Sequence, residues 1–144
     1  MSEPQCHHLT YDLTLAAATA VASASAGRLT FCYVSGEGTD STERGRTMWA
    51  RVKGKTENAL LLLPFKAAFM FRPGYIQPRR GIRLRTRWYQ ALYDVFGPFY
   101  PVVRRLFAKY VTTIVNIGRA MIHVAAAGGP KHILGSADIN QLAG

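Results

Sequence analysis

The chain has 144 residues, 49% of them apolar and 18% charged, which excludes global disorder and suits one domain with its own core. Two cysteines, Cys6 and Cys32, are too few for a disulfide framework and fit a reducing, cytoplasmic setting. The formal net charge of +10 is concentrated in 72–109, where nine basic residues face Asp94 alone, a balance that favours anionic partners.

Residues 1–10 are polar, predict no secretory signal and read as a flexible terminus ahead of a single domain over 11–144. The stretch 11–26 is rich in Ala, Leu and Val without Gly or Pro, and predicts a helix stopped by Gly27. A β-favouring run at 29–34 ends in Ser35-Gly36-Glu37-Gly38. A polar loop at 39–45 leads to a second helix over about 46–63, and 65–72 reads as a second buried strand halted by Pro73-Gly74. The longest apolar run, 59–63, is too short to span a bilayer.

Beyond an arginine-rich loop come an aromatic piece at 88–96, a proline-punctuated piece at 98–101, and two expected helices at 102–109 and 111–127. Gly128-Gly129-Pro130 stops the second, 131–134 suits a last short strand, and Ser136 or Asp138 suits a helix cap. Strands alternating with helices imply βαβ crossovers and a parallel sheet.

The chemistry concentrates at the end of the first strand and on the following helix. Ser35 closes the strand, and Trp49 and Lys53, four residues apart, share one helical face. In a parallel α/β sheet such a face looks across the carboxyl ends of the strands, where ligands bind. Read alone, Trp49 and Lys53 also suit a packed aromatic beside a solvated lysine, with Glu57 placed for a helix-surface ion pair to Lys53.

This segment resembles the active-site region of short-chain dehydrogenases/reductases, in particular the atypical NAD-dependent epimerase/dehydratase-like members. The resemblance spans roughly 11–142. It puts Ser35 in the place of the substrate-orienting serine, Lys53 in that of the lysine, and Trp49 in that of the acid/base tyrosine. It also implies NAD or NADP as cofactor, with Lys53 and the segment Arg72-Pro73-Gly74-Tyr75-Ile76 on the nicotinamide side. The implied fold is a partial Rossmann-like parallel sheet of about three strands with flanking helices, its N-terminal dinucleotide-binding half absent.

Two departures shape the functional expectation. An indole N–H donates a hydrogen bond but does not titrate near neutral pH, so Trp49 cannot replace a catalytic phenol. No G-x-G-x-x-G occurs, and Ser41 stands where the third glycine after Gly36 and Gly38 would fall. The expected function is therefore that of a truncated, vestigial relative of NAD(P)-dependent epimerases and reductases, not catalytically competent alone. Its first strand is expected to expose an apolar edge that favours a homo-oligomer or a complementary dinucleotide-binding half. The alternative is a binding module whose basic and aromatic 72–109 surface takes nucleic acid or anionic membrane, against a plain reading in which the aromatics pack and the arginines stay solvated. Cys6-His7-His8 on a terminus is not expected to hold a metal.

Overall fold

A computed structural model of the protein describes residues 2–77 and 111–144. The first helix begins at Glu3, eight residues before the expected start. It runs as α1 (Glu3–His7), a π-helical turn (His8–Asp12) and α2 (Leu13–Ser25). Tertiary contact supplies what local propensity does not: Cys6 is buried, and Glu3 pairs with Arg51 at 2.8 Å. Pro4 in the first turn loses no helical hydrogen bond there. Ala26 and Gly27 then take left-handed backbone angles (φ 49° and 73°), which end α2 where the glycine predicted.

Three parallel strands follow in the spatial order β1 (Thr30–Val34), β2 (Ala67–Arg72), β5 (Ile133–Gly135). The register sets Cys32 opposite Phe69, Tyr33 opposite Met70, and Met70 opposite Ile133. Alternation sends Phe31, Tyr33, Ala68 and Met70 towards Ala18 of α2 and Leu60 of α3 (Met48–Leu61). Cys32, Phe69, Phe71 and Leu134 face the other way, onto Ile117, Ala120 and Val124 of α4 (Ile114–Ala127) and Ile139 of α5 (Ser136–Leu142). The described residues thus form a mixed α/β structure with a small parallel sheet and helices on both faces.

The helix expected over 111–127 starts later. Val111–Thr113 is instead a strand, β4, paired in parallel with β3 (Tyr75–Gln77). The β-branched run favours extended backbone, and Thr113 then caps α4 by accepting the Asn116 N–H at 3.1 Å. Thr112 is buried, and its hydroxyl donates to Asn140 Oδ1 at 2.8 Å, which ties this small sheet to α5. The last strand is Ile133–Gly135, shifted towards the carboxyl end of its expected run.

Candidate functional site

Ser35, Trp49 and Lys53 do meet at the carboxyl end of the sheet. The Ser35 N–H donates to the Phe71 carbonyl at 2.9 Å, which extends the β1–β2 ladder by one rung and leaves Ser35 buried. Lys53, on α3, reaches back to donate Nζ–H to the Ser35 carbonyl at 2.7 Å. The same ammonium lies 5.7 Å from the Trp49 ring centroid, a distance compatible with cation–π attraction. Gly38, at φ 82°, lets the loop pass close to the indole, since a Cβ there would sit 3.3 Å from Trp49 Cη2.

The Ser35 hydroxyl does not face an open cleft. Its single hydrogen goes to Glu57, with the Phe71 carbonyl a more distant acceptor at 3.3 Å. Glu57 is fully buried and does not form the expected helix-surface pair with Lys53. Its carboxylate accepts from Arg72 instead, through Nε at 3.1 Å to both oxygens and through Nη2. Helical spacing alone permits a Lys53–Glu57 pair, since they are four residues apart. The ends of β1 and β2 decide against it, with the Ser35 carbonyl taking Lys53, and Arg72 and the Ser35 hydroxyl taking Glu57. Arg72 also donates Nη2–H to Ser41 Oγ at 2.6 Å, so Nη2 bridges Glu57 and the 39–45 loop.

Glu57 also affects Tyr33. Burial foremost, then the charge of Glu57 and the nearby Cys6, push the Tyr33 phenol above its ordinary range. Burial likewise raises the Cys32 thiol. Neither group is thereby prepared for proton transfer near neutral pH.

The rest of the segment matched by resemblance runs across the strand ends. The Pro73 carbonyl accepts the Glu37 N–H at 3.0 Å, and the Gly74 N–H donates to Ser136 Oγ at 2.8 Å. Tyr75 and Ile76 begin β3 and are exposed. The 39–45 loop is stitched by Asp40, whose carboxylate accepts from the Thr42 hydroxyl at 2.6 Å and the Gly45 N–H at 2.6 Å. Those bonds hold the Asp40 carboxyl below its ordinary range.

At the N-terminus, His7 Nδ1 and His8 Nδ1 each lie 3.3 Å from the Asp12 carboxylate, and His7 Nε2 lies 3.1 Å from Lys55 Nζ. No group of three or more metal-ligating side chains occurs among the described residues. Of the basic and aromatic surface, only Arg72, Tyr75 and Ile76 are described with their side chains. Arg79, Arg80, Arg83, Arg85, Arg87, Arg104, Arg105 and Lys109, and the elements expected at 88–109, lie outside the described residues. No helix among the described residues is long and apolar enough to cross a membrane.

Sequence reasoning set Glu57 on the helix surface beside Lys53 and read Ser41 only as a missing glycine, and so missed that both bind Arg72. A signal for Glu57 was present: a carboxylate in line with Ala50 and Gly54, small residues that mark a closely packed helix face, requires a buried partner. No known family model matches this chain, and no curated protein is similar to it at a significant level.

Proposed function

We propose that this chain is a non-catalytic relative of NAD(P)-dependent epimerases and reductases, corresponding to their C-terminal half, in which the former catalytic positions serve the fold. The supporting observation is the convergence of Ser35, Trp49 and Lys53 at the carboxyl end of a parallel β–α–β unit, with an indole in the phenol's place. Each reactive group is already engaged: the Ser35 hydroxyl by Glu57, the Lys53 ammonium by the Ser35 carbonyl, the Arg72 guanidinium by Glu57 and Ser41.

These residues do not fit a bound nicotinamide dinucleotide. Lys53 and Arg72 point inward to protein oxygens, and the chain has no glycine-rich turn to cradle a pyrophosphate. No catalytic step is therefore assigned. A complementary half would add at β1. Leu29 and Ser35 bond towards β2, so strand alternation turns the backbone groups of Thr30, Cys32 and Val34 to the outer edge, where no described strand pairs with them. The reading implies a cytoplasmic protein.

Titration with NAD(H) and NADP(H) to millimolar levels, followed by fluorescence of Trp49 and Trp88, tests the reading. No change and no turnover are expected; saturable binding with turnover would overturn it. The ancestry is tested by Trp49→Tyr with a dinucleotide-binding half supplied in trans. No turnover is expected while Glu57 holds Ser35 and Arg72; recovery of turnover would show that the site geometry persists and would overturn the view that these positions now serve the fold alone.

A further inference from the structure

Because β1, β2 and β5 are parallel, the segments that precede them gather at one end of the sheet, opposite Ser35, Trp49 and Lys53. These segments are 26–29, 62–66 and 128–132. They meet at the strand starts: the Lys66 N–H donates to the Leu29 carbonyl at 2.9 Å, and His132 Nδ1 lies 2.9 Å from the Ala68 carbonyl. The central segment alternates. Leu63 and Phe65 join the core around Leu60, whereas Leu62, Pro64 and Lys66 are exposed. Leu62, at 86% exposure, is the most exposed large apolar side chain among the described residues, and Leu29, beside Lys66, is 48% exposed.

The charge at this end has one sign. The segments hold Arg28, Lys66, Lys131 and His132, and no Asp or Glu. Lys131 is paired with Asp138 at 2.9 Å and adds no free charge. Arg28 uses only Nε–H internally, on the Ser25 carbonyl at 3.2 Å. Among the described residues no acid pairs with Arg28 or Lys66. Protruding leucines between unpaired cations suit a partner that is anionic at its surface and apolar just beneath it.

We propose that this end of the sheet docks on an anionic lipid surface. Leu62 and Leu29 enter the boundary between headgroups and acyl chains, and Arg28 and Lys66 sit among the lipid phosphates. The side chains themselves decide between lipid and nucleic acid. Bases are held by stacking on aromatic rings, but Phe65 is turned onto Phe31 and His132 onto Phe69, which leaves leucines to protrude. Two leucines and two cations make a shallow, reversible contact, since even a single myristoyl chain binds only marginally. This surface shares no residue with the candidate site and stands whether or not the proposed ancestry holds.

Co-sedimentation of the full chain with vesicles of phosphatidylcholine, with and without phosphatidylserine, tests the proposal. The wild type is expected to sediment with the phosphatidylserine vesicles and not with phosphatidylcholine alone. The basic residues of 72–109 also draw the chain to such vesicles, so the decisive readings come from variants. Arg28→Gln and Lys66→Gln should each lower the partition coefficient about fivefold. Leu62→Ser should lower it by about fivefold or more. Leu62→Trp should show vesicle-dependent, blue-shifted emission that brominated acyl chains quench, beyond any signal from Trp49 and Trp88 in the wild type. Far-ultraviolet circular dichroism checks that each variant remains folded.

A wild type that ignores phosphatidylserine vesicles, or that binds phosphatidylcholine equally well, would overturn the proposal. So would vesicle binding indifferent to Leu62→Ser and to the two charge removals, which would place the contact at another surface such as 72–109. Retention on a single-stranded oligonucleotide that falls with Arg28→Gln and Lys66→Gln, while Leu62→Trp stays unshifted and unquenched on vesicles, would give this end of the sheet to nucleic acid instead.

Discussion

Helices α2 and α3 lie side by side over the same face of the sheet, yet they invert the usual relation between charge and burial. Helix α3 carries Arg51, Lys53, Lys55 and Glu57, and Trp49 is its single exposed residue. Helix α2 carries no charge, and most of its residues are exposed. The charges of α3 act as ties within the molecule: Arg51 to Glu3, Lys53 to the Ser35 carbonyl, Lys55 to His7 and the Tyr11 ring, Glu57 to Arg72 and Ser35. Helix α2 has no charge with which to make such a tie. Buried polar groups and exposed apolar ones are the informative departures in a folded chain, and here they occupy neighbouring helices.

The largest effect is expected at the centre of the α3 ties. Glu57→Ala leaves the Arg72 guanidinium and the Ser35 hydroxyl without their shared acceptor, and should cost about 3–5 kcal/mol in urea unfolding. A loss below about 1 kcal/mol, the scale of an exposed pair, would break the contrast between the helices.

Gly54→Ala comes next. A Cβ at Gly54 would sit 1.7 Å from the Asp40 carbonyl oxygen, so the 39–45 loop must move away from α3, at an expected cost of about 1–3 kcal/mol. Lys53→Met removes one charge-assisted bond to the Ser35 carbonyl; the expected loss is about 1.5–3 kcal/mol at most, less for its partial exposure, with an accompanying change in Trp49 emission.

Asp40 offers a pH test of the same loop. Its native carboxyl titrates below the ordinary aspartate range, so the folded state favours the charged form. That contribution is present above the ordinary range and lost as pH falls through the lower native value. Asp40→Asn should remove this part of the acid dependence of unfolding, measured as a pH series against the wild type. The smallest effect belongs to α2. Ala20→Gln, on the exposed face of α2, should change stability by no more than about 0.5 kcal/mol in urea unfolding.

Much of the fold was legible in the sequence because burial patterning is a local signal. The runs around Phe31–Val34 and Phe69–Arg72 bounded by Gly and Pro gave two parallel strands, and Gly27 gave the end of α2. The early start at Glu3 was not legible, since it depends on Arg51 and Lys55, some 48 residues distant. The meeting of Ser35 with Lys53 was legible from spacing, but the direction of each bond was not. Which oxygen Lys53 takes, and that Ser35 turns to Glu57, depends on Arg72 arriving from the next strand. Val111–Thr113 misled because a β-branched run beside a helical one reads in either state until its partner, Tyr75–Gln77, is known.

The π-helical turn at His8–Asp12 acts as a phase shifter between two segments that otherwise share one axis. It holds one residue more than a regular turn, and each residue of an α-helix accounts for about 100° of rotation. Excising Thr10 would therefore swing Cys6 and His7 around the axis and off α3, while α2 kept its seat on the sheet. A one-residue deletion in this helix is a rotation before it is a shortening, and the docking of the chain's first turns depends on that angle.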